Sequence, residues 1–190
     1  MKPGSSVERI ESEFQKFNAA NCFKLEIRNY TSFDLISNQD IHLSTRHVSN
    51  HTTNIKPGEW ELIAGRKSST SLKGVEGVFS WNIVGTEKFI SVMFSIPNSL
   101  SSLIGSNANR LAIGIHGKSD LNSEEKLKRM YDENETNFKG KVFDKNTEPV
   151  KFSDDDNRFS VTGLMGKEQK CSIVVFLTAF KTDEHSITGK

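Results

Sequence analysis

Short runs in which apolar and polar residues alternate constrain the fold of this chain most. Phe23, Leu25 and Ile27 alternate with charged residues, so this segment has one apolar face and one charged face. Similar runs recur along the chain and are separated by Gly, Asn, Asp, Ser or Pro; they lie near 41–43, 60–64, 75–83, 89–96, 111–115, 142–143, 150–152, 159–161 and 172–180. Many short strands at this spacing predict a mainly β, mostly antiparallel sandwich or barrel.

The first twenty residues have the period of a helix instead. Four apolar residues of the segment 5–20 recur at helical spacing and form one narrow stripe on a charged surface: Val7, Ile10, Phe14 and Phe17. Ser5 is a suitable N-cap, because Glu8 follows three residues later, as in a capping box. The period changes to two across residues 18–21, which predicts the end of the helix and a hinge.

A second helix is predicted after residue 121. Asn122 or Ser123 is a suitable N-cap, and acidic residues precede basic ones along the segment, as the helix dipole favours. Leu127, Met130 and Tyr131 share one face of this helix. The run 172–180 is apolar on both faces, which predicts a central strand covered from two sides, with a helix as one cover.

Length and charge limit the organisation and the partners of the chain. A chain of 190 residues predicts one core, with an N-terminal helix and hinge at 1–21, a sandwich at 22–181 and a polar tail at 182–190. The net charge is only +1, so no overall basic field favours nucleic acid as a partner. The two cysteines, Cys22 and Cys171, adjoin apolar runs and are predicted to be buried thiols.

The sequence does not decide where in or outside the cell the protein is located. No apolar run reaches the roughly 18 residues that a membrane-spanning helix needs, so we expect a protein that is made in soluble form. The apolar core of a signal peptide is missing at the start of the sequence. A mature secreted protein and a cytosolic protein therefore both remain open.

Enzyme motifs are incomplete. Gly117-Lys118-Ser119 follows a strand, but Ala112 stands where a phosphate loop needs its first glycine. His47 and His51 are four residues apart, yet no third metal ligand is nearby. There is no nucleophile elbow. We therefore expect a protein that is not an enzyme and that needs neither a metal nor another cofactor.

Two regions carry a family resemblance. The segments 74–83 and 89–97 resemble the paired central strands of the actinoporin-like pore-forming cytolysins. Further along, Arg129-Met130-Tyr131 follows the strand 111–115, in the order and spacing of that family. The similarity extends from about Cys22 to Phe180 and is closer to the actinoporin-like proteins of vertebrates than to sea-anemone toxins.

The resemblance implies a β-sandwich flanked by two α-helices, which binds a phosphocholine headgroup, releases its N-terminal helix into the bilayer and forms an oligomeric pore. It assigns headgroup binding to Thr45, Ser95, Pro97 and Tyr131, membrane contact to Leu100, Leu103 and Ile104, and membrane insertion to Val7, Ile10, Phe14 and Phe17.

The chain departs from the family at the headgroup site. The loop after Pro97 has no aromatic residue, Glu76 replaces a valine, and Glu135 and Thr136 replace a tyrosine pair. The segment 139–141, Lys-Gly-Lys, stands where the family has Arg-Gly-Asp. A choline cage with one ring is weak, so we expect the sphingomyelin preference of the family to be lost.

Two hypotheses follow. In the first, the protein acts on a target-cell membrane as a self-assembling, pore-forming cytolysin with an altered choice of lipid. In the second, it is a non-lytic module of the same fold that binds a glycan or a lipid headgroup. The fold alone does not decide between them.

Overall fold

The computed structural model of the chain describes residues 1–18, 21–38, 41–44, 47–49, 54–67, 74–98, 108–118, 122–131, 136–143 and 148–180. These residues form thirteen strands and two helices, in the order β1 (Lys2–Pro3), α1 (Val7–Gln15), β2 (Cys22–Asn29), β3 (Leu35–Ser37), β4 (His42–Leu43), β5 (His47–Ser49), β6 (Glu59–Arg66), β7 (Val75–Ile83), β8 (Phe89–Ile96), β9 (Asn109–His116), α2 (Ser123–Tyr131), β10 (Phe138–Phe143), β11 (Val150–Ser153), β12 (Phe159–Met165) and β13 (Lys170–Ala179).

The strands form two sheets. The first sheet has the order β1-β6-β2-β13-β12-β11, with β5 also on β6; the second has the order β10-β9-β8-β7-β3, with β4 also on β7. The predicted mainly β sandwich with two flanking helices is therefore confirmed. Two pairs in the first sheet, β1 with β6 and β13 with β2, are parallel, so this sheet is mixed.

The main core lies between the two sheets. Alternate residues of each strand point inward, as the two-residue period predicts, and Phe23 of the first sheet meets Phe94 of the second with ring centroids 4.4 Å apart. Phe79 and Trp81 extend this aromatic cluster along β7. Both predicted buried thiols are confirmed, although Cys171 belongs to this core and Cys22 lies on the outer face of the first sheet.

Helix α1 covers part of the outer face of the first sheet. Val7, Ile10 and Phe14 are buried there in a separate apolar cluster with Cys22, Leu62 and Ala64. The helix is shorter than the predicted segment 5–20. Its last turn tightens, because the backbone amides of Lys16 and Phe17 bond to carbonyls three residues earlier.

The predicted capping of α1 is wrong. The N-cap is Ser6 rather than Ser5, and it makes no side-chain capping bond to the helix. Its hydroxyl instead donates to the Glu61 carboxylate at 2.6 Å. A buried carboxylate on β6 therefore competes for this hydroxyl, which the local sequence does not reveal.

The prediction that a helix covers β13 is also wrong. The strand is central, between β2 and β12, but the side chains on its outer face are half-buried or exposed. Helix α1 lies against β6 instead. A nine-residue helix spans only about 14 Å, so it covers one end of the sheet.

Helix α2 covers the outer face of the second sheet. Leu127 and Met130 pack there with Val78, Met93 and Ala112, as the predicted apolar face requires. The predicted cap is confirmed, because Asn122 Oδ1 accepts a bond from the Glu125 amide at 2.9 Å, and Glu125 Oε2 accepts one from the Asn122 amide. Among the described residues, no helix is long and apolar enough to cross a membrane.

A polar network lies on the same sheet face. The Nδ1–H of His116 donates to the Gly117 carbonyl at 2.7 Å, so Nε2 of the neutral ring accepts a bond from the Ser91 hydroxyl at 2.8 Å. The Ser80 hydroxyl is 2.7 Å from that of Ser91. Burial lowers the pKa of His116, and the nearby Lys126 lowers this pKa further.

This network makes stability depend on pH. Below the ordinary histidine pKa of about 6.5, the unfolded chain binds a proton that the folded chain excludes. The free energy of unfolding is therefore expected to fall as the pH drops below that value, until the lower pKa of folded His116 is reached. Urea unfolding on both sides of this range tests the expectation.

The variant His116→Gln is expected to show a weaker decline over the same pH range, since it removes the titrating group. Equal slopes in the two proteins would contradict the assignment.

Candidate functional site

A row of polar side chains crosses the outer face of the second sheet at one level. Glu76 of β7 is the register partner of Ser95 of β8, and Ser95 is the partner of Arg110 of β9. Alternation along these strands directs the three side chains away from the main core, whereas their neighbours Val75, Ile96 and Leu111 are buried in it. The sheet thus places a carboxylate, a hydroxyl and a guanidinium side by side.

Tyr131 lies over this row. It is the last residue of α2, and its hydroxyl donates to Glu76 Oε2 at 3.4 Å. The Arg110 guanidinium carbon is 5.3 Å from the centroid of the tyrosine ring, which is a cation–π distance. Burial raises the pKa of Tyr131, a hydrogen bond with Ser95 lowers this pKa, and the Glu76 charge raises it. The sequence-predicted pair of Ser95 and Tyr131 is therefore brought together.

The edge of β7 beside Glu76 is held by Ser44. The Ser44 hydroxyl accepts a bond from the Glu76 amide at 2.8 Å and lies 3.1 Å from the Glu76 carbonyl. Thr45, the next residue, was assigned to the headgroup and lies outside the described residues.

Pro97 ends β8 two residues beyond Ser95. Its carbonyl accepts a bond from Nδ2 of the buried Asn21 at 2.8 Å, which joins β8 to the start of β2. Gly74 approaches so closely that a Cβ there would lie 2.9 Å from the Cα of Pro97. The contacts of Pro97 thus connect the end of β8 to residues just before β2 and β7.

The predicted membrane-contact residues Leu100, Leu103 and Ile104 lie outside the described residues. The Lys-Gly-Lys segment belongs to β10, where a Cβ on Gly140 would lie 3.8 Å from Arg110 nitrogens. This is an ordinary van der Waals distance, so β10 borders the guanidinium at Gly140.

The four predicted membrane-inserting residues face the first sheet. Val7, Ile10 and Phe14 are buried, and Phe17 is partly buried beside them. Two lysines lie near the Phe14 ring: the ammonium of Lys24 is 5.4 Å and that of Lys170 is 5.0 Å from its centroid. Release of α1 would expose all four side chains together.

Polar contacts hold α1 at its edges. β1 pairs with β6 just before the helix, and the Ser6 hydroxyl bonds to Glu61. Glu11 forms an ion pair with Lys24 at 2.8 Å, which lowers the pKa of Glu11. A small apolar cluster and several polar contacts therefore hold the helix on the sheet. Water can replace the polar contacts when the helix leaves.

Sequence reasoning missed two residues of this site. Arg110 was missed because β9 was predicted to begin at Leu111, whereas the strand begins at Asn109. A charged residue directly before an apolar strand was the available signal. Ser44 follows a two-residue strand, and its contact with Glu76 comes from pairing across 32 positions, so the local sequence contains no signal for it.

Comparisons with known proteins show that this chain is similar to solved structures. No family model and no curated protein sequence matches the chain. The lipid-binding protein Nakanori superposes with a TM-score of 0.67 at 15% identity, over 90% of this chain and 77% of that one. A protein called IP-1A from Alcaligenes faecalis has a TM-score of 0.46 at 12% identity, over 90% of this chain and 99% of that one. The likeness to Nakanori shows a shared fold.

The coupling between Glu76 and Tyr131 is testable by titration. Tyr30→Phe leaves Tyr131 as the only tyrosine, and the ultraviolet absorbance of phenolate then reports its ionisation. The pKa is expected to lie above the ordinary value of about 10. Glu76→Gln in this background is expected to lower that pKa, because it removes a negative charge that disfavours the phenolate.

Glu124→Gln changes an exposed carboxylate on the same helix and is expected to leave the titration curve in place. A curve that does not respond to Glu76→Gln would contradict the contact between the carboxylate and the phenol.

Proposed function

We propose that this protein binds lipid membranes through a headgroup site formed by Glu76, Ser95, Arg110 and Tyr131. The observation that carries the proposal is the position of Tyr131 over Ser95, the two residues that the actinoporin-like resemblance assigns to the headgroup. The site is only half-buried, so a headgroup in a bilayer can reach it. That a protein described as lipid-binding shares the fold supports this proposal.

Membrane insertion of α1 followed by self-assembly into a pore is the second part of the proposal. Its support is the organisation of the apolar clusters: the residues of α1 belong to a cluster separate from the core between the sheets. On insertion into a bilayer, Val7, Ile10 and Phe14 move from one apolar environment to another. The polar groups that held α1 on the sheet then form hydrogen bonds with water or with lipid headgroups. Loss of α1 therefore costs the sandwich little of its own core.

A non-lytic binding module is the alternative. The carboxylate, guanidinium, hydroxyl and phenol of the site are also hydrogen-bonding groups suited to the hydroxyls of a glycan. In that case α1 stays on the sheet as a permanent cover. Binding to glycan-bearing liposomes without dye release would favour this alternative.

A disulfide across β1 and β6 tests the role of α1. Lys2 and Glu59 are register partners on adjacent parallel strands, a spacing of about 4.8 Å that a disulfide accepts. The double variant Lys2→Cys, Glu59→Cys is expected to release little dye from liposomes when oxidised and to regain release on reduction. The disulfide holds the N-terminal segment on the sheet, and this segment must leave the sheet in order to enter the bilayer.

Lys2→Cys alone serves as the control and is expected to release dye in both redox states. The native thiols do not interfere, because burial raises the pKa of Cys22 and raises that of Cys171 to about 12. Equal release by the oxidised and reduced double variant would exclude the insertion step.

Deletion of residues 1–20 is expected to abolish dye release while the sandwich stays folded. The main core contains no residue of this segment, so circular dichroism and cooperative urea unfolding should persist. A lower free energy of unfolding is expected, since Leu62 and Ala64 become exposed. An unfolded product would mean that α1 is part of the indispensable core.

A further inference from the structure

We infer that the headgroup bound at this site is a phosphate ester that ends in a primary ammonium group, with phosphoethanolamine as the simplest member. The inference rests on the proposed function and specifies its ligand. Three features of the site support it: the occupied ring of Tyr131, the carboxylate of Glu76, and the donors that flank both.

The ring of Tyr131 is poorly available to a quaternary ammonium. Such a cation is recognised by faces of aromatic rings, usually by several of them. Arg110 already lies 5.3 Å from the centroid of this ring. A choline group near the same ring would therefore meet a fixed positive charge, and like charges at short range repel.

Glu76 offers a different kind of contact. Oε2 of its carboxylate accepts a hydrogen bond from the Tyr131 hydroxyl at 3.4 Å. The two carboxylate oxygens have further acceptor sites for another donor. A primary ammonium has three N–H donors, and its bonds to a carboxylate are charge-assisted. A quaternary ammonium has no N–H donor, and its methyl groups hold the charge away from the oxygens.

Donors for a phosphate lie on the two strands that follow Glu76 across the sheet. Ser95 and Arg110 occupy the next two strands at the level of Glu76, so about 10 Å separates the Cα atoms of the outer pair. A guanidinium carries a planar fork of N–H donors that matches phosphate oxygens. The row thus has a carboxylate at one end and a guanidinium at the other. A short ligand with a cation at one end and an anion at the other fits this arrangement of charges.

Liposomes that differ only in headgroup test the inference. Matched vesicles contain either phosphatidylcholine alone or phosphatidylcholine with phosphatidylethanolamine, and the bound fraction is measured by flotation. Wild-type protein is expected to bind the ethanolamine vesicles about tenfold more tightly or better, as loss of a charge-assisted bond predicts. Soluble phosphoethanolamine is expected to compete, and phosphocholine and inorganic phosphate are expected to compete less.

Variants at Glu76 connect the preference to the site. Glu76→Gln and Glu76→Val are expected to lose most of the ethanolamine preference, and Glu76→Val is expected to bind choline vesicles as well as the wild type or better. Glu124→Gln makes the same charge change on the exposed side of α2 and is expected to keep the preference. Circular dichroism establishes that each variant is folded.

The outcomes separate the inference from the proposed function. Equal binding to choline and ethanolamine vesicles, or an ethanolamine preference that survives Glu76→Gln, would overturn the inference and leave membrane binding intact. Binding that follows bilayer charge alone, strongest with phosphatidylserine and lost in salt, would also overturn it. No binding to vesicles of any composition would overturn the proposed function itself.

Discussion

Each sheet of the sandwich has an apolar patch on its outer face, and the burial of these two patches decides where both helices lie. Leu62 and Ala64 form part of the first patch, which α1 covers; Val78 and Met93 form part of the second, which α2 covers. Alternation buries only the inner face of a strand. The extra apolar residues on the outer faces are therefore the surfaces on which the two helices dock.

The two covers differ in what they contribute. Helix α2 brings Tyr131 over the polar row of the second sheet, so its docking builds the candidate site. Helix α1 contributes nothing to the main core and is held by a small cluster with polar contacts at its margins. Both helices thus lie outside the main core in their own apolar clusters, and the proposed function assigns headgroup binding to the side of α2 and insertion to α1.

Agreement between sequence and structure varies with the range of the interactions. Ten of the thirteen described strands, the two helices and the Asn122 cap were predictable, because they depend on periods and spacings within about ten residues. The strands β1, β3 and β5 were not predicted, because segments of two or three residues are too short to show a period. The Ser5 cap was wrong because Glu61, far along the chain, takes the hydroxyl of Ser6. Arg110 was missed because β9 was predicted to begin at Leu111, and its place beside Ser95 comes from the register of neighbouring strands.

The sequence by itself determined the fold class, the apolar stripe of α1, and the presence of a charged residue, Glu76, where the actinoporin-like resemblance implies a valine. These properties depend only on the types of the residues and on their order within short segments of the chain. Only the tertiary structure decided that the Arg110 guanidinium lies at cation–π distance from the Tyr131 ring and that the same tyrosine donates to Glu76. Sheet pairing and helix docking bring these residues together over separations of 21 and 55 positions, and such contacts exist only once the whole domain has folded.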